Sequence, residues 1–173
     1  MSVIPNFCDG YHLPPGEHEC TMEEATNRFV YNPQRERVWA GLNRLLARLK
    51  ELDIAPEQLL IDGSFVTGRQ LPGDVDSGAL IPPEKVVKAL STTTCEDDKE
   101  GIKLFTDLQQ QRLVKAMFGA HMLVVRDEKS LGMVSKIFRN GGDQFGKLRA
   151  PDPNRDPSWV KTPQEKGILK IKF

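Results

Sequence analysis

The sequence predicts a mixed α/β domain, and three observations predict it. Four short apolar runs, 59–62, 75–81, 120–125 and 168–173, have the length of strands and are set off by turn-forming residues. The stretch 33–52 instead repeats its apolar residues at three and four, the period of a helix buried along one side. The length of 173 residues fits one core, since domains run to roughly 100–200 residues. Helices should therefore flank one central sheet.

In chain order, Pro5, Gly10, Pro14, Pro15 and Gly16 crowd the first twenty residues too closely for a helix or an interior strand. Residues 1–20 are expected to be an arm that wraps a single domain, 21–173, and packs on it through Ile4, Phe7 and Leu13. Thr21 with Glu24 has the form of a capping box and starts a short helix reaching about Phe29. Asn32 and Pro33 start the next. Its apolar stripe is Val38, Leu42, Leu45, Leu46, Leu49 and Leu52, with Arg35, Arg44, Arg48 and Lys50 elsewhere on the wheel.

The run Leu59-Leu60-Ile61 ends at Asp62-Gly63-Ser64, and a second strand, 75–81, follows the turn Leu71-Pro72-Gly73. Helices are expected at Pro83 to Leu90 and from about Thr106 to Phe118, then the strand Ala120 to Val125 and a helix capped by Ser130. Residues 140–167, rich in Gly, Pro, Asp and Asn, read as a long loop of the functional or mobile kind. In the closing run Leu169, Ile171 and Phe173 face one way and Lys170 and Lys172 the other, the pattern of a half-exposed edge strand.

No run of about 18 apolar residues occurs, and MSVIPNFCDGYHLPPG has neither the basic start nor the apolar core of a signal peptide. Cys8, Cys20 and Cys95 are too few and too scattered for a disulfide framework. A soluble protein of the reducing cytoplasm, without membrane contact, is expected. Formal charge is zero but uneven: 1–128 holds 14 basic and 20 acidic residues, net −6, and 129–173 holds 10 and 4, net +6. Charge alone does not single out nucleic acid, because a basic third can dock on the acidic part of its own chain.

The stretch I61-D-G-S-F-V-T-G-R-Q-L-P-G-D-V-D76 carries the chemistry. Carboxylates at i and i+2 of a strand share a face, so Asp74 and Asp76 can jointly hold a hard cation such as Mg²⁺. Their mutual repulsion should raise the pKa of one of them. A Gly63-Ser64 turn opposite them brings backbone N–H groups and a hydroxyl to triphosphate oxygens. No P-loop or dinucleotide fingerprint is present, nor a Ser-His-Asp order.

Gly63-Ser64 followed by Asp74-Val75-Asp76 resembles the signature of the polymerase-beta type of nucleotidyltransferase. The chain is most similar to a bacterial and phage branch of that superfamily known only as a domain of unknown function. The similarity lies in Ile4-Pro5-Asn6-Phe7, Leu13-Pro14-Pro15-Gly16-Glu17-His18, Thr21 with Glu24, Arg28-Phe29, Asp62 to Thr67, and Lys166-Gly167-Ile168. The resemblance implies a nucleotidyltransferase-like α+β fold with a mixed sheet. It also implies Mg²⁺ or Mn²⁺ at Asp74 and Asp76, and an NTP bound by Gly63, Ser64, Thr67 and Arg69. The activity implied is transfer of a nucleotidyl group to a protein or RNA acceptor. The alternative is a fold with weakened chemistry that binds a protein partner, as in toxin–antitoxin or phage-defence pairs.

The choice turns on a third carboxylate, which the superfamily carries on a later strand. The strand in that place, 120–125, holds His121 and no acid, with Asp127 and Glu128 just past its end and Asp107 further back. His121 reads as a half-buried histidine bonded to a neighbour. Asp62, ahead of the Gly-Ser turn, is expected to matter little for metal. Cys8, His12, His18 and Cys20 are zinc-type donors, but C-x3-H-x5-H-x-C lacks the paired spacing of a structural zinc site.

Overall fold

Side-chain caps set the first two helices of the computed structural model, which describes residues 3–173. Thr21 accepts the Glu24 N–H and Glu24 returns the bond to Thr21 N–H, so α1 runs Met22–Phe29 as the capping box predicts. Asn32 caps α2, Pro33–Glu51, through Arg35 N–H, with Pro33 in the first turn, where its missing N–H costs nothing. The helix then lays Val38, Leu42, Leu45 and Leu49 on the sheet.

The sheet has five strands in the order β1-β5-β2-β3-β4: β1 Gly16–Glu19, β2 Gln58–Asp62, β3 Val75–Leu80, β4 Ala120–Val125 and β5 Gly167–Lys172. It is mixed, with β1–β5 and β3–β4 parallel and β2 antiparallel to β3 and β5. Leu59, Ile61, Val75, Ala79, Met122, Val124, Leu169 and Ile171 form one face, covered by α1, α2, α3 (Pro83–Thr92), α4 (Glu96–Thr106) and α5 (Gln111–Phe118). Among the described residues the other face carries a single helix, α6 (Glu128–Arg139), whose Leu131, Val134 and Phe138 pack on Leu60, Leu80 and Ile168. A Cβ on Gly78 would stand 2.8 Å from Val134 Cγ1, so the bare glycine is what lets α6 come this close. Where α6 ends, polar side chains take over that face.

Four expectations need correcting. The helix expected from Thr106 to Phe118 is shorter. Asp107 adopts an extended backbone and its side chain caps a 3₁₀ turn, Leu108–Gln110, so α4 ends at Thr106 and α5 starts at Gln111. The α6 cap is Asp127, whose carboxylate accepts Ser130 N–H at 2.7 Å, and not Ser130 itself. The last strand is interior, since β1 from the arm adds beyond it, with Glu17 in an ion pair with Lys170 and Glu19 with Lys172. Arg35 is not on the polar side of α2 but fully buried.

The arm packs as expected. Ile4 and Leu13 are buried and Phe7 is partly so, while β1 stays at the sheet edge, where prolines nearby are tolerated. Among the described residues no helix is long and apolar enough to cross a membrane.

Candidate functional site

The strand β2 stops at Asp62 because the chain turns through Gly63, whose φ of +78° suits glycine. A 3₁₀ turn, Gly63–Val66, follows, and the chain comes back as β3 antiparallel to β2. That register sets Asp62 opposite Asp76, and the parallel pairing of β3 with β4 sets His121 on the other flank of Asp76. Asp62, Asp76 and His121 thus form one row across three strands, on the part of the face that α6 leaves uncovered. A Cβ on Gly63 would overlap Asp76 Oδ2, so the carboxylate lies directly against the turn.

Each member of the cluster has its own nitrogen partner. Lys166, just ahead of β5, places Nζ 2.5 Å from Asp62 Oδ1. Lys115 of α5 is ion-paired with Asp74, at the start of β3. His121 Nδ1 lies 3.3 Å from Asp76 Oδ1, the half-buried and bonded histidine that the sequence suggests. Burial pushes the Asp76 carboxyl above its ordinary value, the charges of Asp74 and Asp62 push it further, and His121 offsets only part of this. The bond to Asp74 raises Lys115 above its ordinary value, with Asp76 adding to the effect. Three carboxylates against two lysines leave one surplus negative charge, shared with His121.

Asp127, Glu128 and Asp107 do not join the cluster. His121 is level with Asp76 while Val125 is level with Leu80, so acids beyond Val125 sit at the far end of the strand. There Asp127 caps α6 and Glu128 bonds Gln58, and Asp107 caps its own turn. The acid that does stand beside Asp76 is Asp62, which was expected to matter little for metal.

The residues expected to hold a nucleotide build the loop after the turn. Thr67 is buried and donates its hydroxyl to Ser64 O at 2.8 Å. Arg69 grips Asp156 with Nε at 2.9 Å and Nη2 at 2.7 Å, and Tyr11 donates its hydroxyl to the same carboxylate. Beneath them Arg35 donates to four carbonyls, those of Phe29, Phe65, Thr67 and Arg69, at 2.7–3.0 Å. Trp39 stacks on Phe65 with ring centroids 5.0 Å apart. A guanidinium with its planar fork of donors can tie so many carbonyls into one bend; an ammonium cannot. The signal for Arg35 was present, because position 35 extends the stripe of 38, 42, 45 and 49 one turn back.

The arm's zinc-type donors are otherwise engaged. His12 bonds Asp9 at 2.8 Å, His18 bonds Pro14 O at 2.8 Å, and burial pushes the Cys20 thiol up to about 12. Among the described residues no group of three or more His, Cys, Asp or Glu is arranged to hold a metal ion. In the acid cluster the donor chemistry suits a hard cation, but Asp62 and Asp74 each hold a lysine instead.

No curated protein and no solved structure matches the chain. Residues 5–172 match a family of unknown function, DUF6932, and with nearly the whole length matched the chain belongs to that family.

Proposed function

We propose that the Asp62–Asp74–Asp76 cluster is the centre of a nucleotidyltransferase-like site, in which Mg²⁺ or Mn²⁺ and an NTP bind and a nucleotidyl group passes to an RNA or protein acceptor in the cytoplasm. The observation that supports this reading is the surplus negative charge packed against the Gly63 turn, with Asp76 held above its ordinary pKa. Asp74 and Asp76 would hold the metal, with Asp62 beside them, and the metal would supply neutralisation of phosphate charge. Lys115 has to release Asp74 for this, and its freed ammonium is then placed to meet a phosphate. The turn Gly63-Ser64 offers N–H groups and a hydroxyl, and Arg35 keeps the loop behind it from moving. In the transfer, an acceptor oxygen bonds the α-phosphorus as its bond to the β-phosphate bridge breaks. Pyrophosphate leaves with the electron pair and the acceptor proton passes to solvent.

Thermal scans with Mg²⁺ or Mn²⁺ and NTP test the site. Ligand that binds only the native state raises Tm, and the rise should vanish in Asp74→Asn and Asp76→Asn. Because Asp62 faces Asp76, Asp62→Asn should also blunt it. Labelled NTPs with total RNA and protein then report transfer and acceptor class.

A second reading is favoured by the internal cations: Lys115 and Lys166 already neutralise Asp74 and Asp62, and His121 bonds Asp76. On it, the site is a charge-stapled remnant in a protein that binds a partner, as in toxin–antitoxin or phage-defence pairs. A wild type whose Tm ignores metal and NTP, even with Lys115→Ala to free Asp74, selects this reading.

A further inference from the structure

We infer that the loop 140–166 is a docking surface for single-stranded RNA, which names the acceptor for the proposed transfer and in that respect rests on it. The loop is rooted at the acid cluster. Asn140 and Glu165 form a bridge at its neck, Lys166 N–H donates to Arg139 O at 2.9 Å, and Lys166 Nζ reaches Asp62. Its middle returns to the same place: Asp156 is held by Arg69 and Tyr11, and Arg155 lies against Gly73, the residue before Asp74. The neck and the middle of the loop are therefore both anchored next to the cluster.

The loop shows solvent two aromatic rings and a set of uncompensated cations. At its tip Asp143 Oδ1 accepts the N–H groups of Phe145 and Lys147 at 2.9 and 3.0 Å, and Gly146, at φ +78°, closes the bend back to Asp143 O. On this ordered turn Phe145 is 85% exposed. Trp159 is 57% exposed, its ring perpendicular to that of Tyr11 with centroids 6.2 Å apart. All four acids of the loop are engaged: Asp143 by the turn, Asp152 and Asp156 by Arg155 and Arg69, Glu165 by Arg139. Lys147, Arg149 and Lys161 have no acidic partner among the described residues. Exposed rings beside unpaired cations suit a strand with unstacked bases and phosphates; a duplex hides its ring faces, and an acidic peptide uses the charge alone.

The test is fluorescence anisotropy of a short fluorescein-labelled single-stranded RNA with the full chain, in EDTA and without NTP. Saturable binding at low salt is expected, weakened roughly 5- to 100-fold by Phe145→Ala and nearly restored by Phe145→Tyr, as loss and return of one stacked base would give. Lys147→Gln and Arg149→Gln should each flatten the slope of log affinity against log salt by about 0.7, the share of one single-strand phosphate. All these positions are exposed, so Tm should not change. Absence of binding, indifference to Phe145→Ala, equal affinity for the duplex, or displacement by polyglutamate at equal charge would each overturn the inference. The double change Asp74→Asn, Asp76→Asn removes charge that repels phosphate and should not weaken RNA binding. Binding without transfer would then sink only the proposed reaction, and transfer to protein without RNA binding would sink only this surface.

Discussion

Asp76 is a carboxyl that the fold holds in an unfavourable place. Its folded pKa lies above the ordinary 3.8, so its protonated form is the one the fold favours. The associated stability is complete below the unfolded pKa and is lost as pH rises through the folded value. In metal-free protein, Asp76→Asn should therefore raise Tm at neutral pH by a few degrees at most, given the side chain's partial exposure, and the gain should disappear in acid; calorimetry across pH checks both. Arg35 has the opposite character. Arg35→Met leaves four carbonyls buried without a donor and should cost about 3–5 kcal/mol, whereas Arg35→Lys keeps the charge, loses the fork and should cost roughly 1–3. Urea titration separates the two. Asp74, Asp76 and Gly63 were readable from sequence because a turn and an i, i+2 pair are local patterns. The entry of Asp62 into the cluster was not, because it depends on the register between β2 and β3.

At the scale of elements, what the sequence states locally came out well. The caps at Thr21 and Asn32 act through residues three positions away, and both helices start where those side chains say. Thr21→Ala should cost about 1 kcal/mol, a Tm loss of roughly 2–4 °C in a chain of this size, and Thr21→Ser should restore most of it. Elements decided by distant partners carry no such local signal. The alternation of β5 suits an edge strand, but its lysines face outward only to meet Glu17 and Glu19 of the arm, some 150 residues earlier. A proline-rich stretch does not advertise a strand, so the pairing that buries β5 leaves no pattern near it. Asp107 moves the start of the helix expected from Thr106 to Gln111, because its backbone is extended and its side chain caps the 3₁₀ turn between them.

At the scale of the whole molecule, the acidic and basic parts of the chain answer one another. Lys166 meets Asp62, Lys170 meets Glu17 and Lys172 meets Glu19, so much of the C-terminal excess is spent inside the fold. One long-range tie joins three segments: Tyr11 of the arm, Arg69 of the turn loop and Asp156 of the long loop. Burial alone would raise Asp156, but the Arg69 guanidinium and the Tyr11 hydroxyl outweigh it and hold the carboxyl below its ordinary value of 3.8. Its stabilising effect is present above the unfolded pKa and is lost as pH falls through the folded one. Tyr11→Phe removes a buried hydrogen bond to a charged group and should cost about 1.5–3 kcal/mol near neutral pH. The damage should be local before it is global, because the arm and the 3₁₀ turn keep their other contacts through Leu13 and Arg35. Hydrogen exchange should therefore quicken first in 150–160 and around Gly68, whose N–H donates to Tyr11 O, while α2 stays protected. Wild-type protein should show the same pattern only in acid, once Asp156 is protonated. If Tyr11→Phe left exchange in 150–160 unchanged at neutral pH, the tie would be a contact without mechanical consequence, and the loop would be held at its neck alone.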